Sequence, residues 1–511
     1  MPDFSKLKYY IPNTEAPVHV KADVCIYGGT SAGVAAAVQV SRMGLKPVIV
    51  EFGSHLGGLT SGGLSATDIG NKMVIGGISR EFYREFGRLY GSTEPDNSAW
   101  KLVPSVAEQI YEDWLQEAKV EVYRNQHLSE VEKQNGKITS IKTDNGSVFE
   151  AGMFIDATYE GDLMARAGVS YHVGREANSV YGETLNGIQF GSPTHRFNAW
   201  VDPYVIPGKP DSGLIAGVQD VEPGVQGQGD SCVQAYNFRI CLTNSPRNRI
   251  PFPEPPNYDP NRFEILLRYI QAGVWDALTL NKMMPDGKTD LNNFGAVSTD
   301  HIGANYEWPD GDYATRERIF QDHVNYNMGM LYFLANDERL PAHVRGETKQ
   351  WGLAADEFIS TGHWPHQLYV REARRMISDV VMTEHHCRHY VTVEDPVGYA
   401  AYNMDSHNAR RLVLNGQCVN EGNVEVSPTG PYKISYRSII PKGEECQNLL
   451  VPVCLSSSHI AFGSIRMEPV FMILGQSAAT AAVLALERQT AVQDLDYSVL
   501  RDRLLADGQI L

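Results

Sequence analysis

An α/β fold is predicted by three stretches of this 511-residue sequence. The first, "DVCIYGGTSAGVAAAV" from Asp23, runs an apolar strand through a glycine turn into a helix, and a second apolar strand then ends at Glu51. The second, "MFIDATYEGDLMARAG" from Met153, reads again as strand, turn and helix. The third begins at "NLLVPVC" and returns from an apolar strand to an alanine-rich helix over 475–486, expected to pack closely on a sheet. Together they describe a Rossmann-like domain on a parallel sheet, with a β-meander inserted in it. The long middle reads as a mixed α+β substrate or cap domain. The boundaries fall at 20–170 and 443–511 for the discontinuous sheet domain, and at 171–442 for the cap.

Glycine spacing alone does not make a nucleotide site. With 46 glycines in the chain, two glycines five apart arise by chance about four times. The context is more specific. Val24 to Tyr27 is a compact apolar run suited to a buried parallel strand. Gly28 and Gly29 permit a tight turn and a close backbone approach. Ser31 is expected to cap a helix that reads through Val34, Ala35, Val38 and Val40 to a stop at Gly44. The strand 47–50 then leads to Glu51, about 20 residues past the glycines. In such a unit a diphosphate sits on the free N–H groups of the helix N-terminus, and the acid accepts the ribose hydroxyls. The pattern G-x-G-x-x-G reads Gly28, Thr30, Gly33 here, which brings a threonine side chain toward the diphosphate.

The segment after Glu51 is too rich in glycine for an element interior, and reads as a long loop or ligand cradle. Helices are expected at 79–90, with Phe82, Phe86 and Leu89 on one face, and at 106–118. Strands follow at 120–123, 128–134 and 137–143. Asn135-Gly136 marks a type I′ hairpin between the last two, and Asn145-Gly146 makes another turn. In the cap, helices are expected at 261–272, 315–336 and 368–381, and the Pro- and Gly-crowded stretches 202–229 and 251–260 read as ordered surface loops.

The formal charge of −17 offers no favourable field to nucleic acid or to anionic membrane surfaces, so neither is expected as a partner. No run is expected to reach the length of a membrane span, and the first 17 residues hold no signal-like apolar core. The seven cysteines include no C-x-x-C, which removes a cysteine zinc site and a dithiol redox pair; no metal is expected. The odd count fits reduced thiols, and the expected location is the cytoplasm. A homo-oligomer is left open.

At this point three blocks together resemble a family. "YGGTSAG…VIVE", "FIDATYEGD" and "RMEPVFMILGQSAATAA" are similar to the glutathione-reductase-type FAD domain in its fumarate-reductase-like branch. The nearest group is that of bacterial FAD-dependent oxidoreductases, some of them labelled xanthan lyase-like. The resemblance extends over almost the whole chain, through "TLNGIQF", "GHWPHQLYVREARRM" and "YNMDSHN". It implies FAD as the cofactor. Gly28, Gly29, Thr30, Ser31 and Gly33 then belong to the diphosphate turn, and Glu51 is the ribose acid. Gly57, Gly58, Leu59, Thr60 and Ser61 match the loop that passes the diphosphate and reaches the flavin. Ala157 and Thr158 match a second adenine-side motif, with Tyr159 where a glycine is usual. Gly475, Gln476 and Ser477 match the start of the last helix, whose positive end stabilises reduced flavin. No second glycine fingerprint of similar quality occurs, so a dedicated NAD(P)H lobe is not expected, and the electron acceptor stays unidentified.

Hydride transfer from a carbon bearing a hydroxyl needs a base, and histidine suits that task near neutral pH. The candidates are His459, in the stretch entering the last block, then His366 and His407. Arg371, Arg374 and Arg375 are expected on one helix face, where they could hold a substrate carboxylate or an anionic flavin, or pair with acids such as Glu372. His55 is a candidate for covalent attachment of FAD. The resemblance implies a small polar, carbohydrate-like substrate oxidised by hydride transfer to flavin N5. The alternatives are a flavin-dependent reductase of an activated C=C bond, a polysaccharide lyase, and a non-catalytic flavoprotein.

Overall fold

The computed structural model describes residues 3–280 and 283–511, so residues 281–282 of the expected cap lie outside the described residues. The parallel sheet starts with β1 (His19–Tyr27), α1 (Ser31–Arg42) and β2 (Pro47–Val50). The chain then passes through the glycine-rich loop, α2 (Gly77–Tyr90) and α3 (Pro104–Glu117) to β3 (Glu121–Tyr123). The meander strands β4 (Leu128–Gln134) and β5 (Lys137–Thr143) lead into β6 (Val148–Asp156), and β7 (Leu449–Leu450) returns after the cap. The order across the sheet is β3-β2-β1-β6-β5-β4, with β7 also paired to β6. β1 pairs parallel with β2 and β6, β2 with β3, and β7 with β6, whereas β4, β5 and β6 run antiparallel in turn. Asn135 and Gly136 both take positive φ, 52° and 76°, as the hairpin turn requires.

Both faces of the central strands are covered, and their last four residues are all buried. That is why each reads as an unbroken apolar run. Tyr27 is in register with Val50 on one side and Asp156 on the other. The loops that follow these three residues therefore leave the sheet at one edge, the place where open α/β sheets bind ligands.

The closing helices are α5 (His459–Ile465) and α6 (Glu468–Arg488), and the cap's long helix is α4 (Tyr313–Asn336). The cap also carries a four-stranded antiparallel sheet, ordered Lys288–Leu291, Ile240–Thr243, Gly352–Ala354, Arg249–Ile250. The largest apolar core runs from the sheet domain into the cap without a break. Buried ion pairs lock the two together: Asp162, after β6, receives Arg316 of α4 at 2.6 Å and Arg374 at 2.6 Å.

Several expectations are corrected. Residues 368–381 form no helix. Tyr369 pairs with Asn237, and Arg375–Met376 with Tyr171–His172, in extended conformation. Tertiary strand pairing and buried ion pairs decide that segment against its helical spacing. Ser31 does not cap α1; Thr30 does, its Oγ1 accepting the Gly33 N–H at 3.3 Å. Leu89 stands 50% exposed while Phe82 and Phe86 are buried. Residues 475–477 lie inside α6, which begins seven residues earlier at Glu468. The helix packs on α1 so tightly that a Cβ on Gly475 would stand 2.2 Å from the Ala32 carbonyl oxygen. Contrary to the expectation that no run reaches membrane length, α6 is long and apolar enough to cross a bilayer; here it is almost wholly buried as a core helix.

Candidate functional site

A cleft opens at the sheet edge, with about 1040 Å³ of free space including the solvent at its mouth. Gly28, Thr30, Glu51, Gly58 and Thr158 line it. The glycines are there for close approach. Gly28 has φ +103°, and a Cβ on Gly33 would stand 1.9 Å from the Gly28 carbonyl oxygen. The Thr30 hydroxyl is turned away from the cleft and donates to the Ala157 carbonyl at 2.7 Å, so the threonine in place of the middle glycine is tied to the sheet. Glu51 accepts the N–H groups of Gly29 and, at 2.6 Å, Gly53. Burial raises its carboxyl above the usual range.

The glycine-rich loop is anchored to this turn. The Gly57 N–H donates to the Gly29 carbonyl at 2.7 Å, and the Leu59 N–H to the Tyr159 hydroxyl at 2.8 Å. Ser61 donates to the Leu56 carbonyl. Glu468, first residue of α6, collects the hydroxyls of Ser31 (2.5 Å), Thr60 (2.8 Å) and Tyr159 (2.8 Å). Tyr159 and Glu468 are thus the hub joining turn, loop and closing helix. In the sequence Tyr159 stands out only as a departure from a motif, and Glu468 reads as an ion-pair partner for Arg466, which instead meets Asp405 at 3.0 Å. Of the other expected cofactor residues, Gln476 accepts the Ile78 N–H at 2.9 Å and Ser477 donates to Val397 at 2.7 Å, so with Gly475 they serve packing away from the cleft.

His366 lines the cleft beside Gln367, with both ring nitrogens buried and unpartnered. Burial, then the neighbouring His55, holds its pKa well below the usual imidazole range. The ring stacks on His55 at 3.9 Å. His55 is itself engaged: Nδ1 lies 2.9 Å from Glu108 and Nε2 3.2 Å from Ser360. A glycine cradle, a helix N-terminus, an acid at the next strand end and an orphaned imidazole together fit a bound dinucleotide.

The same loop runs from this cleft into a second, open cavity of about 810 Å³ with the solvent at its mouth included. A Cβ on Gly63 would stand 2.1 Å from the Arg239 carbonyl, the Ser65 and Ala66 N–H groups both donate to Asp290 at 3.0 Å, and Asp68 lines the new cavity. Its walls include Asn292, Tyr402, Asp405 and His407. His407 Nδ1 stands 2.7 Å from Asp300, and its Nε2 is 3.6 Å from Asp405. Asp300 is backed by Arg371 at 2.9 Å and Asp405 by Arg466 at 3.0 Å. Against burial, which raises it, Arg371 and His407 hold the Asp300 carboxyl below its ordinary value. Against the same opposition, His407 and Arg466 hold Asp405 at about 2. Asp300 and Asp405 therefore stay ionised and orient the imidazole between them.

The four catalytic candidates separate clearly. His407 faces a cavity and is oriented by a carboxylate. Arg371 is 1% exposed and contacts Asp300, the Ala235 carbonyl and Asn237. Arg374 is taken by Asp162 and Asp310, and Arg375 by Glu176 and Glu372. These arginines offer no clamp for a substrate carboxylate. His459 is not in a loop but opens α5, 2% exposed. Its Nδ1 lies 2.6 Å from Glu372 and its Nε2 3.0 Å from Ser406, so both ring nitrogens have protein partners. His366 belongs to the first cleft, away from His407. Sequence reasoning missed Asp300 altogether, because nothing within its own stretch "VSTDH" marks it.

The family described as FAD dependent oxidoreductase matches residues 23–504. No curated protein matches the sequence. Among solved structures, THI4 from Thermovibrio ammonificans aligns at 21% identity over 32% of this chain and 71% of its own, with a TM-score of 0.25. L-proline dehydrogenase from P. horikoshii aligns at 15% identity over 31% and 59%, with a TM-score of 0.25. L-amino acid deaminase from Proteus vulgaris aligns at 18% identity over 33% and 55%, with a TM-score of 0.23. Likenesses at such scores decide neither fold nor activity.

Proposed function

The chain belongs to the FAD dependent oxidoreductase family, and from that premise we propose that it oxidises a small polyhydroxylated, carbohydrate-like substrate with His407 as the proton acceptor. FAD is the cofactor, and when bound it supplies a hydride acceptor at N5. In this reading the first amide groups of α1 and the turn Gly28, Gly29, Thr30, Ser31 and Gly33 hold the diphosphate, Glu51 the ribose, and Thr158 the adenosine side of the cleft. The loop from Gly57 to Ser61 carries the protein from that cleft toward the substrate cavity.

The observation that carries the reading is the His407–Asp300 pair, at 2.7 Å, in the wall of the second cavity. Asp300 fixes the proton on Nδ1, which leaves Nε2 as the lone-pair nitrogen that takes a hydroxyl proton. The resulting imidazolium lies between two ionised carboxylates, Asp300 and Asp405, that stabilise it. The rest of the wall carries carboxylates, amides and a phenol, among them Asp68, Asn292 and Tyr402, alongside His195, Thr279 and Phe294. Carboxylates accept hydrogen bonds from hydroxyls and repel anions, which favours a polyol over a carboxylic acid. No arginine is among the described residues lining this cavity, which disfavours the C=C reductase reading, since that reaction asks for an arginine as proton donor beside the reacting carbon.

The test is anaerobic titration of the yellow holoenzyme with a panel of sugars and polyols. Bleaching of the flavin band by one of them supports the reading. Reoxidation of pre-reduced enzyme by an unsaturated acid, with no bleaching by any polyol, overturns it.

A further inference from the structure

A third, open cavity, of about 570 Å³ with the solvent at its mouth included, adjoins the His407 cavity, and His195 and Asn423 line both. Resting on the reading above, we propose that this cavity is a subsite for a second polyhydroxylated unit, so that the preferred substrate is at least two sugar-like units long. Its lining is chemically unlike a packed interior. It presents Ser192, Thr194, Asn408, Gln417, Asn420 and Arg196 together with the apolar Phe197, Cys418 and Val419.

Two features show a built site. The first is the wall between the cavities. His195 has φ +52°, a left-handed backbone that a non-glycine residue adopts at an energetic cost. It is held there by two amides, as its carbonyl accepts Asn408 Nδ2 at 2.9 Å and Asn420 Nδ2 at 3.0 Å. Asn423, the other shared residue, donates to Ser192 at 2.9 Å and Thr194 at 3.0 Å, fixing the far rim. The second feature is what is left over. Among the described residues, the exposed Arg196 guanidinium and the half-buried Gln417 amide make no side-chain hydrogen bond or ion pair. Donors and acceptors left to solvent at the rim of a polar cavity match a ligand that carries many hydroxyls. At the mouth of the His407 cavity, Phe294 is 47% exposed and meets His195 edge-on at 5.8 Å, which offers an aromatic face beside the junction.

The asymmetry between the cavities sets the direction. The His407 side is carboxylate-rich and holds the base, so it takes the unit that is oxidised. Among the described residues no carboxylate lines the Arg196 side, and its histidine, His195, is shared with the His407 side and faces Glu425 at 3.4 Å, so the Arg196 side takes the unit that only binds.

The experiment is calorimetric titration of the holoenzyme with matched pairs of sugars: glucose with maltose and cellobiose, galactose with lactose, and xylose with xylobiose. At least one disaccharide is expected to bind tenfold or more tightly than its monosaccharide. The double variant Arg196→Ala, Gln417→Ala is expected to remove that increment while the monosaccharide affinity and FAD content hold. The inference is overturned if no disaccharide outbinds its monosaccharide, or if the double variant weakens both members of a pair equally. Flavin bleaching is recorded in the same samples. Tighter disaccharide binding without bleaching upholds the subsite and sinks the redox reading, whereas bleaching with no length preference does the reverse.

Discussion

Asp300 holds Nδ1 of His407 at 2.7 Å although 107 residues separate the two in sequence. Arg371, behind Asp300, keeps that carboxylate charged. The pair sets an oriented imidazole in the wall of a cavity outside the cofactor cleft. Replacing His407 by Asn is expected to slow flavin reduction by about 10²–10⁴-fold with FAD content unchanged, the range for loss of a general base. Asp300→Asn is expected to slow it less, and rapid-mixing spectrophotometry measures both. An unchanged rate in His407→Asn removes His407 from the reaction.

His459 is expected to behave in the opposite way. It answers the buried carboxylate of Glu372 at 2.6 Å. His459→Ala leaves that carboxylate with Arg375 and Gln234 but one buried hydrogen bond short, and is expected to lower stability by about 1–3 kcal/mol, read as a drop in thermal midpoint. Flavin reduction per folded enzyme should stay within a few-fold of normal. A large kinetic loss with an unchanged midpoint would restore it as a base.

Glu160 lines the cofactor cleft, and burial, reinforced by Asp162 and Asp156 against the pull of Arg316, raises its carboxyl to about 7. The folded protein therefore binds this proton more tightly than the unfolded chain. Its ionisation takes stability away progressively as pH rises from about 4.5 to about 7. Glu160→Gln is expected to raise the thermal midpoint at pH 8, by up to about 3 kcal/mol of stability, and to leave it unchanged near pH 4.5. An equal effect at both pH values would show that the gain is not electrostatic.

Gly33 and Gly475 give different outcomes from one substitution. A Cβ on Gly33 would stand 1.9 Å from Gly28 O, inside the dinucleotide turn, and one on Gly475 2.2 Å from Ala32 O, between α1 and α6. Gly33→Ala is expected to purify without FAD. Gly475→Ala is expected to lose about 1–3 kcal/mol of stability, as overpacking does, with FAD affinity in the surviving fold little changed. Flavin content and thermal midpoint, measured together, separate the two.

His55 is held by Glu108 and Ser360 and stacked on His366. Acid precipitation is expected to release all FAD into the supernatant. Flavin fluorescence in the washed pellet would reverse that expectation.

The sequence by itself determined the parallel sheet and its turn. Buried parallel strands must be apolar throughout, and a turn against a helix N-terminus needs glycines where a Cβ would strike backbone; both leave local marks at 24–33, 47–51 and 153–158. The meander was equally legible, because Asn135-Gly136 dictates its own backbone. What only the tertiary structure decided was the chemistry beyond the cofactor. Arg371, Arg374 and Arg375 read as one helical face, yet strand pairing and burial beside Asp300, Asp162 and Glu176 draw them out straight and send each to a different acid. His459 and His407 look alike in sequence, as histidines in polar stretches. One is sealed by Glu372 and Ser406 and the other opens on a cavity, because burial and partners come from segments some 50–110 residues away. Local spacing records what the backbone must do within a few residues. It carries no record of which distant carboxylate will meet a given charge.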